Sequence, residues 1–187
     1  NNILRSIFEE ISLFESYLVI HLAAQTSAQI SMERPILDIS YNLGALINLI
    51  EFISFLEKKP KLFIFSSSMA VYGDSKLSKN GFDEKQYLSP CSVYGHTKLI
   101  GEKLVKLSNI NYLNLRLFNI YGPLQDLSNT KQGMISIYLD SLIRDNIIYI
   151  KGDLERTRDQ VFVDDLVQFL IKLIIDLEKY EEQKFKN

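Results

Sequence analysis

Two residues near the middle of the chain, Tyr94 and Lys98, stand four positions apart in the segment 92–98. On a helix over 93–107, both side chains lie on one face, one turn apart. A tyrosine has a pKa near ~10 in water, and a nearby ammonium group lowers that pKa. The pair therefore predicts a phenol that exchanges a proton with a substrate hydroxyl.

A serine upstream, Ser68, offers a hydroxyl that can bridge Tyr94 and Lys98. The Tyr-x-x-x-Lys spacing alone is weak evidence, because any amphipathic helix with an exposed tyrosine can show it. The catalytic interpretation therefore depends on the elements that must bring these three groups together.

The composition bounds the class of protein. The 187 residues are 47% hydrophobic and 24% charged, as in a soluble globular domain with a core. A formal net charge of −2 provides no basic field for nucleic acid. The single cysteine, Cys91, excludes an internal disulfide and fits a reducing, cytoplasmic compartment. The sequence predicts no metal site, no signal peptide and no membrane span, since its most apolar run, 166–177, is too short.

The hydrophobic pattern predicts alternating strands and helices. The predicted strands are 17–24, 61–65, 112–118, 147–150 and 160–163. The predicted helices are 2–13, 36–57 with Pro35 at its start, 93–107, 134–145 and one from Asp164 to about 182. The first two strands are continuous apolar runs, as in strands buried on both faces of a parallel sheet. The long segment 69–90 is expected to be a loop, and residues 119–123 a turn.

This alternation predicts an α/β fold with a doubly wound, Rossmann-like parallel sheet. In such sheets, ligands bind beyond the carboxyl ends of the strands. Three segments fall at such ends, and they are Leu22-Ala23-Ala24, Ser66-Ser67-Ser68 and Phe118-Asn119. We therefore expect a ligand site at this edge of the sheet.

Six segments in order resemble the extended short-chain dehydrogenase/reductase family, in particular its NAD-dependent nucleotide-sugar epimerases and dehydratases of the UDP-glucose 4-epimerase type. These segments are 19–25, 42–51, 65–73, 90–98, 116–123 and 158–165. The resemblance implies an enzyme that epimerises a nucleotide-sugar by transient hydride transfer between NAD and a sugar carbon.

The resemblance also implies a role for each matching residue. The implied catalytic residues are Tyr94 as base, Lys98 as the group that lowers its pKa and holds the nicotinamide ribose, and Ser68 in the proton path. The residues implied to contact NAD are Leu22, Ala23, Ala24, Asn42, Ser66, Tyr94, Lys98 and Phe118. The residues implied to contact the substrate are Ser68, Asn119 and Arg158, whose guanidinium suits a diphosphate.

Several residues have a purely structural alternative. These alternatives are an exposed helix position for Asn42, the hydrophobic core for Phe118, and an ion pair with Asp153 or Asp159 for Arg158. Three further residues are expected to be structural, namely His21 in a buried strand, an exposed His96, and Asp164 as a helix N-cap.

The start of the sequence departs from the family pattern. None of its eight glycines forms the Gly-x-x-Gly-x-x-Gly turn that receives the pyrophosphate. We therefore expect a chain truncated at both ends. Its expected parts are a partial NAD-binding domain over 1–123, a substrate-binding insertion over 124–159, and a strand and helix over 160–187 that return to the main domain. The strand near 18–22 is then expected to lie at an unpaired edge of an incomplete sheet.

Other functions remain open at this point. The resembling dehydratases carry Asp-Glu directly after the serine or threonine, and Met69-Ala70 stand there in this chain, which disfavours dehydration. A reductase or decarboxylase of the same superfamily is an alternative, and so is an inactive fragment or a nucleotide-binding module. The resemblance also implies a homodimer, formed through the Asn42 and Tyr94 helices.

Overall fold

The structure is a computed structural model that describes residues 6–7, 10–11, 13–73, 81–150, 154 and 157–184, with no side chains beyond 179. It contains two compact units, Asn1–Leu117 and Phe118–Asn187. The domain bounds at 123 and 159 stay predictions. Most of the helix predicted over 2–13 lies outside the described residues, although 6–7 and 10–11 are helical.

Three parallel strands form the sheet of the first unit, in the order β1–β2–β3. They are β1 (Leu18–His21), β2 (Leu62–Ser68) and β3 (Tyr112–Leu117). Among the described residues β1 pairs with β2 only, so it lies at the edge of this three-stranded sheet, as the sequence predicts. The prediction that β1 is buried on both faces is wrong, since Ile20 is 37% exposed.

The helices of the first unit follow the predicted pattern. They are α1 (Ala28–Glu33), α2 (Pro35–Ile39), a π-helical turn (Ser40–Gly44), α3 (Ala45–Phe55) and α4 (Val93–Leu107). Pro35 stands in the first turn of α2, where its fixed φ suits a helix start. At the start of α4, the Ser92 hydroxyl accepts a hydrogen bond from the Gly95 backbone N–H at 3.1 Å. The long helix predicted over 36–57 is thus present, with a π turn at its centre.

The core of this unit lies between β2 and the helices α3 and α4. Its buried members are Leu46, Ile53, Phe63, Phe65, Val105 and Ile110. Phe63 and Phe65 point to the same side of β2, since side chains alternate along a strand. This packing fixes the position of α4, which carries Tyr94 and Lys98, against the strand that carries Ser68.

A glycine allows this close packing of α4 on β2. A Cβ atom at Gly101 would lie 2.5 Å from Cζ of Phe65 and 3.2 Å from Cδ2 of Leu46. We expect Gly101→Ala to lower the free energy of unfolding by about 1–3 kcal/mol, measured by urea denaturation. Gly44→Ala is the matched control, because outside its own turn of helix no atom lies within 4 Å of its Cβ position. That change is expected to be neutral or to stabilise by up to about 1 kcal/mol. Equal losses of stability in Gly101→Ala and Gly44→Ala would contradict the close approach of α4 to β2.

One helical segment of the described residues, Pro35–Phe55, is long and apolar enough to cross a membrane by length and composition. Core helices of soluble proteins pass the same test. In this chain, 22% of the most apolar window of that segment is buried, and Leu46 and Ile53 belong to the core described above. The segment is therefore weak evidence for a membrane span.

The second unit contains a two-stranded parallel sheet and two long helices. Its elements are β4 (Asn119–Tyr121), α5 (Met134–Asp145), β5 (Gln160–Phe162) and α6 (Val163–Lys184). Asn119 pairs with Gln160, and Tyr121 pairs with Phe162. The predictions of a helix over 134–145, a strand near 160–163 and a long last helix are confirmed.

Three local predictions for the second unit are wrong. Residues 119–121 form a strand rather than a turn, because β5 supplies a partner. Residues 147–150 form no strand, and all four of their side chains are exposed. Their strand propensity is not realised, because it depends on packing against a neighbouring strand and on burial. Asp164 lies inside the first turn of α6, which begins at Val163, and is not the N-cap.

Candidate active site

The three serines at the end of β2 lie inside the strand, and each has a different role. Ser66 Oγ donates a hydrogen bond to the His21 carbonyl at 2.9 Å, which joins the carboxyl ends of β2 and β1. Ser67 Oγ donates to the Glu102 carboxylate on α4. Ser68 Oγ accepts from the Ala70 N–H at 3.2 Å and caps a short 3₁₀ turn. Ser68 is thus held firmly where the strand ends.

The tyrosine predicted to be catalytic meets this serine. The Tyr94 hydroxyl lies close enough to the Ser68 side chain for that serine to lower the pKa of the phenol, and Tyr94 is 8% exposed. The backbone N–H of Tyr94 donates to Oγ of Ser31 on α1 at 3.0 Å, which fixes the first turn of α4. The structure therefore confirms that Ser68 and Tyr94 come together.

Lys98 completes the group one turn further along α4. Its Nζ donates to the Ser66 carbonyl oxygen at 2.7 Å and lies 5.8 Å from the centroid of the Tyr94 ring. The same ammonium lies 5.1 Å from the centroid of the Phe65 ring. Lys98 is only 3% exposed, so a buried, directed cation stands beside the phenol.

The predicted direction of the Tyr94 pKa is wrong for this structure. Burial raises the pKa of the Tyr94 phenol, the Ser68 side chain opposes the rise, and the charge of Asp38 adds to it. Burial also lowers the pKa of Lys98 to about 8, while Asp38 acts in the opposite direction. The ammonium of Lys98 is directed at a carbonyl group and not at the phenol oxygen. At neutral pH Tyr94 is therefore a neutral phenol in this structure.

Asn42 is buried, which excludes the exposed helix position as an explanation for it. Its Oδ1 accepts from the Gln25 N–H at 2.8 Å, and its Nδ2 donates to the Gln25 carbonyl at 3.0 Å. This two-point contact fixes the chain that follows β1. Both polar atoms of Asn42 are used by the protein, and its contact with a cofactor stays a prediction.

The segment after β1 offers an apolar surface at the same edge of the sheet. Leu22 is 56% exposed although it follows a strand, Ala23 is exposed, and Ala24 is half-buried. The small side chains of the two alanines leave the backbone open to close approach by a flat ligand. Their role as cofactor contacts stays a prediction that this exposure supports.

A second polar network joins Arg116 of β3 to Glu102 of α4. Arg116 donates from Nε and Nη2 to the two carboxylate oxygens of Glu102, both at 2.9 Å. Its Nη1 also donates to the Glu84 carbonyl at 3.0 Å, and its guanidinium lies 5.1 Å from the centroid of the Tyr72 ring. Arg116 therefore ties β3, α4 and the described part of the loop after β2 to one another.

The sequence did not reveal the roles of the buried polar residues Asp38, Thr97 and Glu102, or of the half-buried Arg116. A signal for the first was present, because Asp38 precedes Asn42 by one helical turn, as Tyr94 precedes Lys98. A charge on an amphipathic helix is ordinarily assigned to its solvent face, and the spacing does not reveal that this face meets another helix. The expectations for the two histidines are confirmed, since His21 is buried and His96 is exposed.

Three predicted site residues, Phe118, Asn119 and Arg158, belong to the second unit, and all three are half-buried. Nδ2 of Asn119 donates to the Asp159 carbonyl at 3.0 Å, which brings it next to the segment that contains Arg158. Nη1 of Arg158 donates to the Thr157 carbonyl at 3.0 Å. Asp153, its alternative partner, lies outside the described residues. The roles of Phe118, Asn119 and Arg158 at nicotinamide and diphosphate stay predictions.

The described residues contain no group of three or more His, Cys, Asp or Glu side chains that could hold a metal ion. The site is instead built from a phenol, an amine, hydroxyl groups and one buried carboxylate at the carboxyl edge of a parallel sheet.

A family model described as "NAD dependent epimerase/dehydratase family" matches residues 5–185. The chain belongs to this family.

The chain is similar to several proteins of known or assigned function. It is 35% identical over 164 residues to a putative UDP-glucose 4-epimerase of Methanocaldococcus jannaschii, a match over 86% of this chain and 52% of the relative. It also matches the UDP-glucose 4-epimerase of Thermotoga maritima, solved with UDP-glucose, with 32% identity, a TM-score of 0.76, and coverage of 88% of this chain and 54% of that one. The Thermus thermophilus UDP-glucose 4-epimerase, solved with NAD, gives 25% identity, a TM-score of 0.72, and coverage of 88% and 55%.

These comparisons confirm the predicted α/β fold with a Rossmann-like parallel sheet. They also confirm the family to which the resemblance pointed. The chain spans about half the length of the curated relatives it matches.

Proposed function

We propose that this chain carries the catalytic part of an NAD-dependent enzyme that epimerises a nucleotide-sugar at one sugar carbon. The observation that carries the proposal is the placement of Ser68, Tyr94 and Lys98 next to one another at the carboxyl edge of a parallel sheet. The names of the similar proteins support it, since those in M. jannaschii and T. maritima are UDP-glucose 4-epimerases.

Tyr94 is the residue proposed to take the proton from the sugar hydroxyl and later to return it. The neighbouring Ser68 hydroxyl is proposed to give that proton a path between substrate and phenol. Because burial raises its pKa, Tyr94 needs an additional positive charge nearby before it can act as a base at neutral pH. NAD, when bound, accepts and returns a hydride and brings the positive charge of its oxidised ring.

The residues after β1 suit the nicotinamide side of such a cofactor. Leu22 and Ala23 offer exposed apolar surface, and Asn42 holds the backbone that follows them. We propose that Lys98, already fixed by the Ser66 carbonyl, presents its remaining N–H groups to the ribose. The Gly-rich pyrophosphate turn of the family is not in this sequence, so these residues account for one end of the cofactor only.

The residues that follow Ser68 favour epimerisation over dehydration. Loss of water requires an acid and a base in addition to Tyr94. Met69 and Ala70 occupy the 3₁₀ turn directly after Ser68 and carry no group that transfers protons. The proposed reaction therefore keeps all sugar oxygens and inverts a single centre.

A screen of nucleotide-sugars tests the proposed function. The protein is incubated with NAD and, in turn, with UDP-, GDP-, CDP- and dTDP-sugars, and the products are separated by ion-exchange chromatography and identified by NMR. We expect one UDP-sugar to reach equilibrium with its 4-epimer without accumulation of NADH. A 4-keto-6-deoxy product would instead establish dehydration. Mass spectrometry of any copurified nucleotide tests NAD binding separately.

We further propose that the protein forms a homodimer through α4 and the helical segment Pro35–Phe55, which contains Asn42. Both present large apolar side chains to solvent, among them Ile47 at 47% and Ile100 at 43% exposure. Sedimentation velocity of Ile100→Glu is expected to show a dimer dissociation constant raised by at least about 100-fold, because a charge would be buried without a partner. Ile143→Glu is the control, since Ile143 is 71% exposed on α5. A wild-type protein that sediments as a monomer, or equal effects of both changes, would contradict this interface.

A further inference from the structure

The first unit buries an acidic side chain in contact with residues next to the candidate site. Asp38, on α2, has no exposed surface. Its two carboxylate oxygens accept hydrogen bonds from Nδ2 of Asn42 at 2.8 and 3.1 Å. Oγ1 of Thr97 lies 3.4 Å from one of them. A buried carboxylate costs several kcal/mol unless it is paired and hydrogen-bonded, so these contacts must compensate its burial.

The partners of Asp38 connect it to both halves of the site. Asn42 fixes the backbone of Gln25, and hence the segment that follows β1. Thr97 precedes Lys98 on α4, and its Oγ1 lies 2.9 Å from the carbonyl oxygen of Tyr94. Asp38 therefore contacts Asn42, which lies on the proposed cofactor side, and Thr97, which lies between Tyr94 and Lys98 on α4.

Few charged groups of the described residues interact with Asp38. Its contacts Asn42 and Thr97 are uncharged, and Thr97 directly precedes Lys98 on α4. The titratable groups whose pKa values its charge affects are Lys98 and Tyr94, both on α4. Glu33, the charged residue of α1, is exposed. Lys98 in turn faces His21 of β1, whose pKa is lowered by burial and by that ammonium. Asp38 is thus the nearby negative charge that acts on Lys98 in the described structure.

We propose that Asp38 is a positioning residue of this site, whose buried carboxylate supplies the counter-charge for Lys98 and holds Asn42 and the first turn of α4 in place. The charge of Asp38 raises the pKa of Lys98 against the effect of burial, and it raises the pKa of Tyr94 as well. The consequence for catalysis rests on the proposed function, whereas the coupling between the two charges does not.

A titration of Lys98 tests this coupling without any activity. Protein labelled with ¹³C at lysine Cε is titrated by NMR, and the Lys98 signal is assigned by its loss in Lys98→Met. In the wild type we expect Lys98 to titrate near pH 8, far below the ordinary lysine value of 10.5. In Asp38→Asn the midpoint is expected to fall by about one pH unit, because the shape is kept and the charge is lost.

Thr97→Val is the matched control, because it removes a contact of Asp38 and keeps the charge. Its Lys98 midpoint is expected to equal that of the wild type. An unchanged midpoint in folded Asp38→Asn overturns the proposal, and so does an equal fall in both variants.

A reciprocal measurement keeps the proposal testable if Asp38→Asn does not fold. The side-chain ¹³C signal of Asp38 is titrated in the wild type and in Lys98→Met. Since Lys98 lowers the pKa of Asp38 against burial, removal of the ammonium is expected to raise the Asp38 midpoint. An Asp38 midpoint that is the same in the wild type and in Lys98→Met overturns the proposal that Asp38 is the counter-charge of Lys98.

The pH profile of kcat separates an electrostatic role from simple packing. Loss of the Asp38 charge lowers the pKa of both Lys98 and Tyr94, so Asp38→Asn is expected to move both limbs of the profile to lower pH. A lower kcat with an unmoved profile would overturn the electrostatic role. If no sugar is turned over while the Lys98 midpoint still shifts, the proposed function fails and the coupling stands.

Discussion

Replacement of Tyr94 by phenylalanine is expected to reduce nucleotide-sugar turnover by about 10³-fold or more, within the range that general acid–base catalysis contributes. The change removes one oxygen atom and leaves the ring in its buried position against Lys98. Ser68 keeps the hydrogen bond that it accepts from the Ala70 N–H. The fold and the bound NAD are therefore expected to persist.

Initial rates with the best substrate of the screen measure this effect, and mass spectrometry of the bound nucleotide measures NAD retention. Tyr41→Phe is the control, because Tyr41 is 58% exposed on the neighbouring helical segment and its hydroxyl has no proposed role. Turnover retained in Tyr94→Phe would remove Tyr94 as the base. Loss of NAD together with turnover would mean that the hydroxyl serves binding and not proton transfer.

Removal of the Arg116 guanidinium is expected to cause the largest loss of stability, about 3 kcal/mol for Arg116→Met. The Glu102 side chain is only 7% exposed, and it would keep its charge without its bidentate partner. The contacts of Arg116 with the Glu84 carbonyl and the Tyr72 ring would be lost as well. Urea denaturation at pH 7 measures the difference.

Two further variants define the cause of this loss. Arg144→Met breaks the pair of Asp140 with Arg144, whose side chain is 62% exposed, and is expected to cost less than about 1 kcal/mol. The double variant Arg116→Met with Glu102→Met removes both charges, and it is expected to recover much of the loss, because an unpaired buried carboxylate is then absent. A double variant no more stable than Arg116→Met would assign the cost to lost packing.

Local periodicity predicted the helices well. The bounds 93–107 and 134–145 agree with the structure, since both segments have a clear apolar stripe and a distinct start. The end of β2 was less visible. Ser66, Ser67 and Ser68 look like a loop because small polar residues are common there, yet β3 continues the pairing as far as Ser68.

The electrostatics of the site depended on information that a sequence does not contain. The spacing of Tyr94 and Lys98 placed a cation near a phenol but could not indicate how deeply both are buried, and burial decides the direction of both pKa shifts. Asp38 was missed for a related reason, since its role depends on a contact between two helices far apart in the chain.

The π-helical turn over Ser40–Gly44 has a consequence for mutation of this segment. A π turn accommodates one residue more than an α-helical turn, and each residue of an α-helix advances the chain by about 100°. The turn therefore sets the rotational phase between the half that carries the amide of Asn42 and the half that carries Leu46 and Ile53. Deletion of a single residue there would let the helix become regular. The regular helix would then bury either the amide of Asn42 or the apolar side chains of Leu46 and Ile53, but not both. This helix is therefore expected to tolerate substitution far better than a change in length.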